Sequence, residues 1–168
     1  MKTKMLGIRP YKAEDAKEII SWCKDETTFY RWTAGKLGGF PVTESEFKFV
    51  ETLMPFVAFN ENGTVGFFTL RKPDGTKDEL RFGFVIVNSD IRKKGYGKEM
   101  IRLGLKYAFE LYGAEKVSIG VFENNLPAYH CYKSIGFSEL DFTDKYSVLG
   151  EEWVCIELMM EKERWFNL

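Results

Sequence analysis

Residues 80–87 are apolar except for Arg81 and Gly83. They lead through a basic loop, Ile91-Arg92-Lys93-Lys94-Gly95-Tyr96-Gly97-Lys98, into the most regular helical pattern of the chain. A strand of this composition reads as central and covered on both faces. Over residues 98–112, Ile101, Leu105, Ala108, Phe109 and Tyr112 share one helical face, Lys98, Arg102, Lys106 and Glu110 ride on the other, and Gly113 stops the helix. Gly95 and Gly97 remove side chains where the backbone must approach something closely. The first amides of the following helix have no intrahelical partner, and that arrangement suits a pyrophosphate. The same residues also fit a solvated turn whose glycines serve only backbone geometry. The loop is neither a Walker loop nor a dinucleotide fingerprint, because only two glycines are present and no Gly-Lys-Ser/Thr ends it.

The elements on either side predict a mixed sheet with helices on its faces. Residues 6–9 read as a strand and residues 13–23 as a helix with Ala16, Ile19, Ile20 and Cys23 on one stripe. Residues 24–41 lack a clean period and read as a long loop with a short helix near 27–32. Thr43 with Glu46 three residues on forms a capping-box signal, which predicts a second helix over 44–53 ended by Pro55. Strands at 56–59 and 65–71 flank Asn60-Glu61-Asn62-Gly63, a hairpin signal. Residues 117–121 read as a strand, 125–134 as a short helix with Gly136 as its C-cap, and 137–141 and 153–160 as strands joined by a loop through Gly150. The expectation is an α/β (α+β) fold: a mostly antiparallel sheet of six to seven strands flanked by about four helices in one domain over residues 1–168.

Composition narrows the function. A formal net charge of -1 supplies no overall basic field for nucleic acid, although the compact Arg92-Lys93-Lys94 patch keeps a nucleic-acid-binding module as an alternative. The beginning of the sequence has no signal-peptide pattern and no apolar run is long enough to span a bilayer, so a cytoplasmic location is expected. Cys23, Cys131 and Cys155 have no paired short spacing, and His130 is the sole histidine, which leaves no metal expected. The 16% aromatic content fits a bulky core, a pocket lining or a homodimer interface.

A second segment runs from Val121 to Phe137. Ala128 and Tyr132 lie four apart on one helical face, with Asn125 placed as N-cap and Pro127 in the first turn. Taken alone it predicts a short capped helix with a packed tyrosine. Together, Arg92-x-x-Gly95-x-Gly97 and Asn125-x-x-Ala128-x-x-x-Tyr132-x-x-x-Gly136-Phe137 resemble the two signatures of the GNAT superfamily of acyl-CoA-dependent N-acetyltransferases. The resemblance covers residues 80–137. The first strand-helix-helix portion and the Trp-bearing loop resemble the branch that acetylates ribosomal-protein N-termini or small amines.

The resemblance implies acetyl-CoA as cosubstrate. Its pyrophosphate would meet Arg92, Lys93, Lys94, Gly95, Tyr96, Gly97 and Lys98, and its pantetheine arm would pair with the backbone of Phe84, Val85, Ile86 and Val87 and meet Asn125 and Ala128. Tyr132 is implied as general acid for the departing thiolate. Many relatives carry a glutamate two residues before the position of Gly83, where this chain has Arg81, which makes Glu79 the substitute candidate for the base. Glu123 and His130 are weaker candidates. Cys131 has no basic partner that would make it a nucleophile. Phe29, Tyr30, Trp32, the loop through Phe40 and the 141–152 connection are placed to select the acceptor. Asp141, Asp144, Glu151 and Glu152 would either attract a cationic amine or simply be solvated. The acceptor is then a small-molecule amine or a peptide N-terminus. A regulatory acyl-CoA-binding protein without turnover is the other alternative.

Overall fold

The computed structural model describes residues 5–49, 51–91 and 94–168. Its seven strands form one sheet in the order β1-β2-β3-β4-β5-β7-β6, made of β1 (Gly7–Pro10), β2 (Leu53–Asn60), β3 (Gly63–Arg71), β4 (Glu79–Val87), β5 (Lys116–Phe122), β6 (Ser138–Val148) and β7 (Glu151–Glu161). All neighbours are antiparallel except β4 and β5. The helices are α1 (Ala16–Ser21), α2 (Glu26–Thr33), α3 (Tyr96–Lys106), α4 (Leu126–Ile135) and α5 (Lys162–Phe166). This is the expected mixed, mostly antiparallel architecture.

One core joins α3 and α4 to the sheet through Phe68, Leu80, Phe82, Met100, Ile101, Leu105 and Leu158. The fit is close at Gly104, where an added Cβ would lie 2.6 Å from the Phe82 ring. On the other face, α1 and α2 bury Ile19, Trp22, Phe29 and Trp32 against Val57 and Phe67. The 16% aromatic share is largely spent on this packing, in which Tyr11, Phe47, Phe49, Phe67 and Phe84 make a run of ring contacts.

Several expectations are corrected. Among the described residues no helix covers 44–53. The capping signal at Thr43 does form, with Glu46 Oε1 accepting from the Thr43 amide at 3.2 Å and from its hydroxyl at 2.6 Å, but it holds a single turn. Beyond that turn Phe47 and Phe49, two apart, both enter the aromatic cluster, and the chain continues into β2. The second helix is instead α2, the short helix expected near 27–32, capped by Asp25, whose carboxylate accepts from the Thr28 amide at 2.7 Å. Pro55 lies inside β2, one residue before Phe56, the first β2 residue paired with β1; its carbonyl accepts from the Tyr11 amide, so its nitrogen faces that same side, away from β3, and no β2–β3 rung is broken.

The 141–152 loop is not a loop. β6 and β7 continue through it as a hairpin whose two turn residues, Leu149 and Gly150, both have positive φ (52° and 77°), as a two-residue hairpin requires. β4 is the middle strand but is not covered on both faces, because Arg81, Gly83, Phe84 and Val85 remain partly open to a cleft.

Candidate active site

The cleft exists because β4 and β5 part company. Their parallel pairing runs from Glu79–Lys116 to Phe82–Ile119 and stops, so Gly83 onward and Gly120 onward line opposite walls. A bulge accompanies the separation. Phe67 opposes Ile86 and Thr69 opposes Gly83, which leaves Phe84 and Val85 facing the single residue Phe68. A bulge removes backbone groups from the ladder and re-aims them. Phe84 has φ +50°, an unfavourable value for a residue with a side chain, and it is held there from two sides. Its ring packs edge-on against Phe49 at 5.5 Å, and its carbonyl accepts from Trp32 Nε1 at 3.0 Å.

Beyond Val87 the chain reaches α3. Gly95 is its N-cap with φ +77°, and Glu99 closes the first turn onto the Gly95 carbonyl. The amides of Tyr96, Gly97 and Lys98 are therefore first-turn donors without helical acceptors. Among the described residues, a Cβ at Gly95 would meet nothing within 4 Å, and one at Gly97 would meet only Val87 Cγ2 at 3.6 Å, so no described residue covers the outer side of this turn. That geometry fits a pyrophosphate. Arg92 and Lys93 lie outside the described residues; Lys94 is exposed beside the turn.

Asn125 is the N-cap residue of α4, but its side chain makes no capping bond and lines the cleft instead. Ala128 is half-buried against the α3 core, and Tyr132, only 6% exposed, lines the cleft floor. Burial pushes the Tyr132 phenol well above its usual range, with Cys131 adding to the effect, so it stays protonated. Cys131 itself is raised by burial, and Cys155, another lining residue, is pushed up to about 11, chiefly by burial and then by Glu157. Neither is a thiolate nucleophile near neutral pH.

Glu79 is not among the described lining residues, and its carboxylate accepts from Ser118 Oγ at 2.9 Å. Trp32 and Tyr146 do line the cleft, whereas Phe29 is fully buried in the core. Asp141, Glu151 and Glu152 are exposed on β6 and β7. The sequence reading missed Glu157 on β7. Its carboxylate is 6% exposed and accepts from Arg81 Nη2 at 2.8 and 2.9 Å. Burial raises the Glu157 pKa, against the lowering effect of Arg81. Only the pairing of β4 and β7 with the two sides of β5 brings the two together, and no local spacing signals it.

A splayed parallel strand pair, a bulge at its mouth, a helix N-terminus past its end and a protonated tyrosine on its floor define an acyl-CoA-dependent N-acyltransferase. The chain belongs to the acetyltransferase (GNAT) family, which it matches over residues 14–137, and it is an N-acetyltransferase that uses acetyl-CoA. It is 27% identical over 105 residues to the spermine/spermidine N(1)-acetyltransferase of Bacillus subtilis (strain 168), covering 58% of this chain and 69% of that protein. It is 32% identical over 68 residues to an N-alpha-acetyltransferase of Sulfurisphaera tokodaii, covering 40% and 41% of the two chains. Its fold matches the spermidine N-acetyltransferase of Vibrio cholerae, solved in complex with CoA and spermine. The TM-score is 0.82 at 17% identity, over 96% of this chain and 98% of that one. A GNAT-family acetyltransferase of Bacillus anthracis gives a TM-score of 0.77 at 20% identity, over 96% and 98%.

Among the described residues no helix is long and apolar enough to cross a membrane, and no group of three or more His, Cys, Asp or Glu could hold a metal.

Proposed function

We propose that residues 1–168 form a single cytoplasmic N-acetyltransferase domain that moves acetyl directly from acetyl-CoA to the primary amine of a small molecule or peptide. The observation that carries this reading is the end of β4–β5 pairing at Phe82–Ile119. The gap beyond it leaves β4 backbone from Phe84 to Val87 free on that side to pair with the pantetheine arm. Lys94, Gly95, Tyr96, Gly97 and Lys98, with Arg92 and Lys93, receive the pyrophosphate, and Asn125, Ala128 and Tyr132 flank the thioester. Amides at the bulge stabilise the developing oxyanion, and the Tyr132 hydroxyl protonates the leaving thiolate.

The attacking amine must be neutral. Glu79, bound by Ser118, would accept the amine's proton only through intervening water. The cations that line the cleft help, because positive neighbours lower the pKa of an ammonium. The relatives are named as a spermine/spermidine N(1)-acetyltransferase and an N-alpha-acetyltransferase, so a polyamine and a peptide N-terminus are the first acceptors to compare. A homodimer would cover the exposed Phe142 and Leu149 of the β6–β7 hairpin.

The test is CoA thiol release from acetyl-CoA across polyamines, amino acids, simple amines and short peptides, beside Tyr132→Phe. Release that requires an acceptor and falls about 100-fold in kcat in the variant supports the reading, since general acid catalysis contributes roughly that factor or more. Tight acetyl-CoA binding with no acceptor-dependent release would instead favour a regulatory acyl-CoA-binding protein.

A further inference from the structure

The cleft has a volume of about 390 Å³ and is lined by five cationic side chains, Arg31, Lys36, Lys48, Arg71 and Arg81, while no Asp or Glu is among its described lining residues. Arg71 and Arg81 are directly opposed on β3 and β4, a pairing of like charges that costs stability unless something neutralises it. Glu157 pairs directly with Arg81, and on Lys36 it acts only as a weaker electrostatic neighbour. Arg71 and Lys36 have no carboxylate partner among the described residues. The three cations are electrostatic neighbours: burial first, then Arg71 and Arg81, pull the Lys36 pKa below its ordinary range.

One rung further along, Thr69 opposes Gly83, and its side-chain hydroxyl is buried, lines the cleft and has no hydrogen-bond partner among the described residues. A Cβ on Gly83 would come within 3.1 Å of that hydroxyl, so the glycine leaves space beside it. A built cavity thus presents two unmatched cations and an unsatisfied hydroxyl.

The pyrophosphate of acetyl-CoA does not account for them. Its proposed seat follows Val87, six residues past Arg81, and at roughly 3.3 Å per residue the two regions are about 20 Å apart along the strand. The same charges disfavour a polyamine, which has several cations and nothing for Arg71 or Lys36 to bind.

We propose that the acceptor amine carries an anionic group, a carboxylate or a phosphate a few bonds from its nitrogen, held by Arg71 and Lys36 with the Thr69 hydroxyl alongside. This rests on the N-acetyltransferase reading and assigns its substrate class. The amine then lies over Gly83 and Phe84, facing the thioester, and its anion points back toward the start of β4. The transfer itself is unchanged: the N–C bond to acetyl forms, the C–S bond breaks, the thiolate takes a proton and the amine gives one up.

The test measures kcat/KM with acetyl-CoA for matched acceptors: β-alanine and γ-aminobutyrate, phosphoethanolamine, propylamine and butylamine, and spermidine. Melting shifts of the CoA-bound protein with the same compounds read binding without turnover. Expected is a preference of about tenfold or more for anionic over neutral amines of equal length, the size of one charge-assisted hydrogen bond. Arg71→Gln should lower the anionic-to-neutral ratio about tenfold, which a merely structural role for Arg71 would not do. The carboxylate and phosphate arms show which anion is taken. Spermidine or neutral amines acetylated as well as the anionic set, or a ratio unmoved in Arg71→Gln, overturns the proposal. Anion-selective melting shifts without thiol release would keep the anion site and refute the transferase reading; absence of both would refute the anion site.

Discussion

Arg81 and Glu157 meet over Gly120, the β5 residue that separates their strands. A Cβ at Gly120 would stand 2.7 Å from Arg81 Nη2 and 3.2 Å from Glu157 Oε2. The pair therefore depends on a glycine as well as on two charges. Arg81→Met leaves Glu157 buried without its cation, which costs about 3 kcal/mol when the carboxylate is ionised. Glu157 already has a raised pKa, and loss of Arg81 raises it further. For an acid with a raised folded pKa, stability falls as pH rises from the unfolded value through the folded one. The deficit of Arg81→Met in urea denaturation should be full at pH 8 and shrink toward pH 5. A deficit independent of pH would show that Glu157 is not the group left exposed to the loss.

Asp15 behaves in the opposite sense. Arg9 donates to both of its carboxylate oxygens at 2.8 Å, and the Lys12 amide adds a third bond at 2.8 Å, so its pKa is lowered, chiefly by the Arg9 hydrogen bonds. This stabilisation is present above the unfolded pKa and is lost as pH falls through the lowered folded value. Asp15→Asn should cost about 1.5 kcal/mol at pH 7, allowing for the partial exposure of Arg9, and little at pH 2. Denaturation midpoints at the two pH values check it.

Gly104 marks the tightest helix-to-sheet approach. Ala is ordinarily the better helix former by about 1 kcal/mol. Here its Cβ would press on Phe82 at 2.6 Å and Phe68 at 3.2 Å, both in the core. Gly104→Ala should destabilise the fold by about 1 to 3 kcal/mol despite the helix gain, as read by chemical denaturation.

The two loop glycines separate backbone strain from ligand contact. Gly95→Ala forces a side chain into φ +77° with nothing nearby, so it should lower stability by about 1 kcal/mol. Gly97→Ala meets only an ordinary contact with Val87 and should leave the melting temperature almost unchanged, yet weaken acetyl-CoA binding if the pyrophosphate sits at this turn as proposed. Thermal melts and acetyl-CoA titration of both variants distinguish the two effects.

What could be read from the sequence follows from how local each signal is. The turn at Gly95 and Gly97, the buried stripe of Ile101, Leu105, Ala108 and Phe109 and the placement of Tyr132 on α4 all depend on spacings of a few residues and appear in the structure as expected, whereas the π-helical turn over Tyr107–Tyr112 leaves Tyr112, expected on the same face, 46% exposed. The 44–53 helix failed because the capping bond at Thr43 is worth less than seating Phe47 and Phe49 among distant rings. The β6–β7 hairpin was hidden because an exposed edge strand rich in Asp, Lys and Ser reads locally as a loop. The cationic lining was hidden for the most physical reason. Lys36, Arg71 and Arg81 are far apart in sequence and become neighbours only through sheet register and the loop after α2.

The central claim is that acetyl-CoA enters the gap between β4 and β5. Hydrogen–deuterium exchange with and without acetyl-CoA tests it residue by residue. The account predicts slowed exchange at the amides of residues 84–87, where the gap leaves β4 unpaired toward β5, and at Tyr96, Gly97 and Lys98, with little change in α5 and the β6–β7 hairpin. Saturating acetyl-CoA that leaves both segments unprotected, or protects only other parts of the sheet, would contradict it.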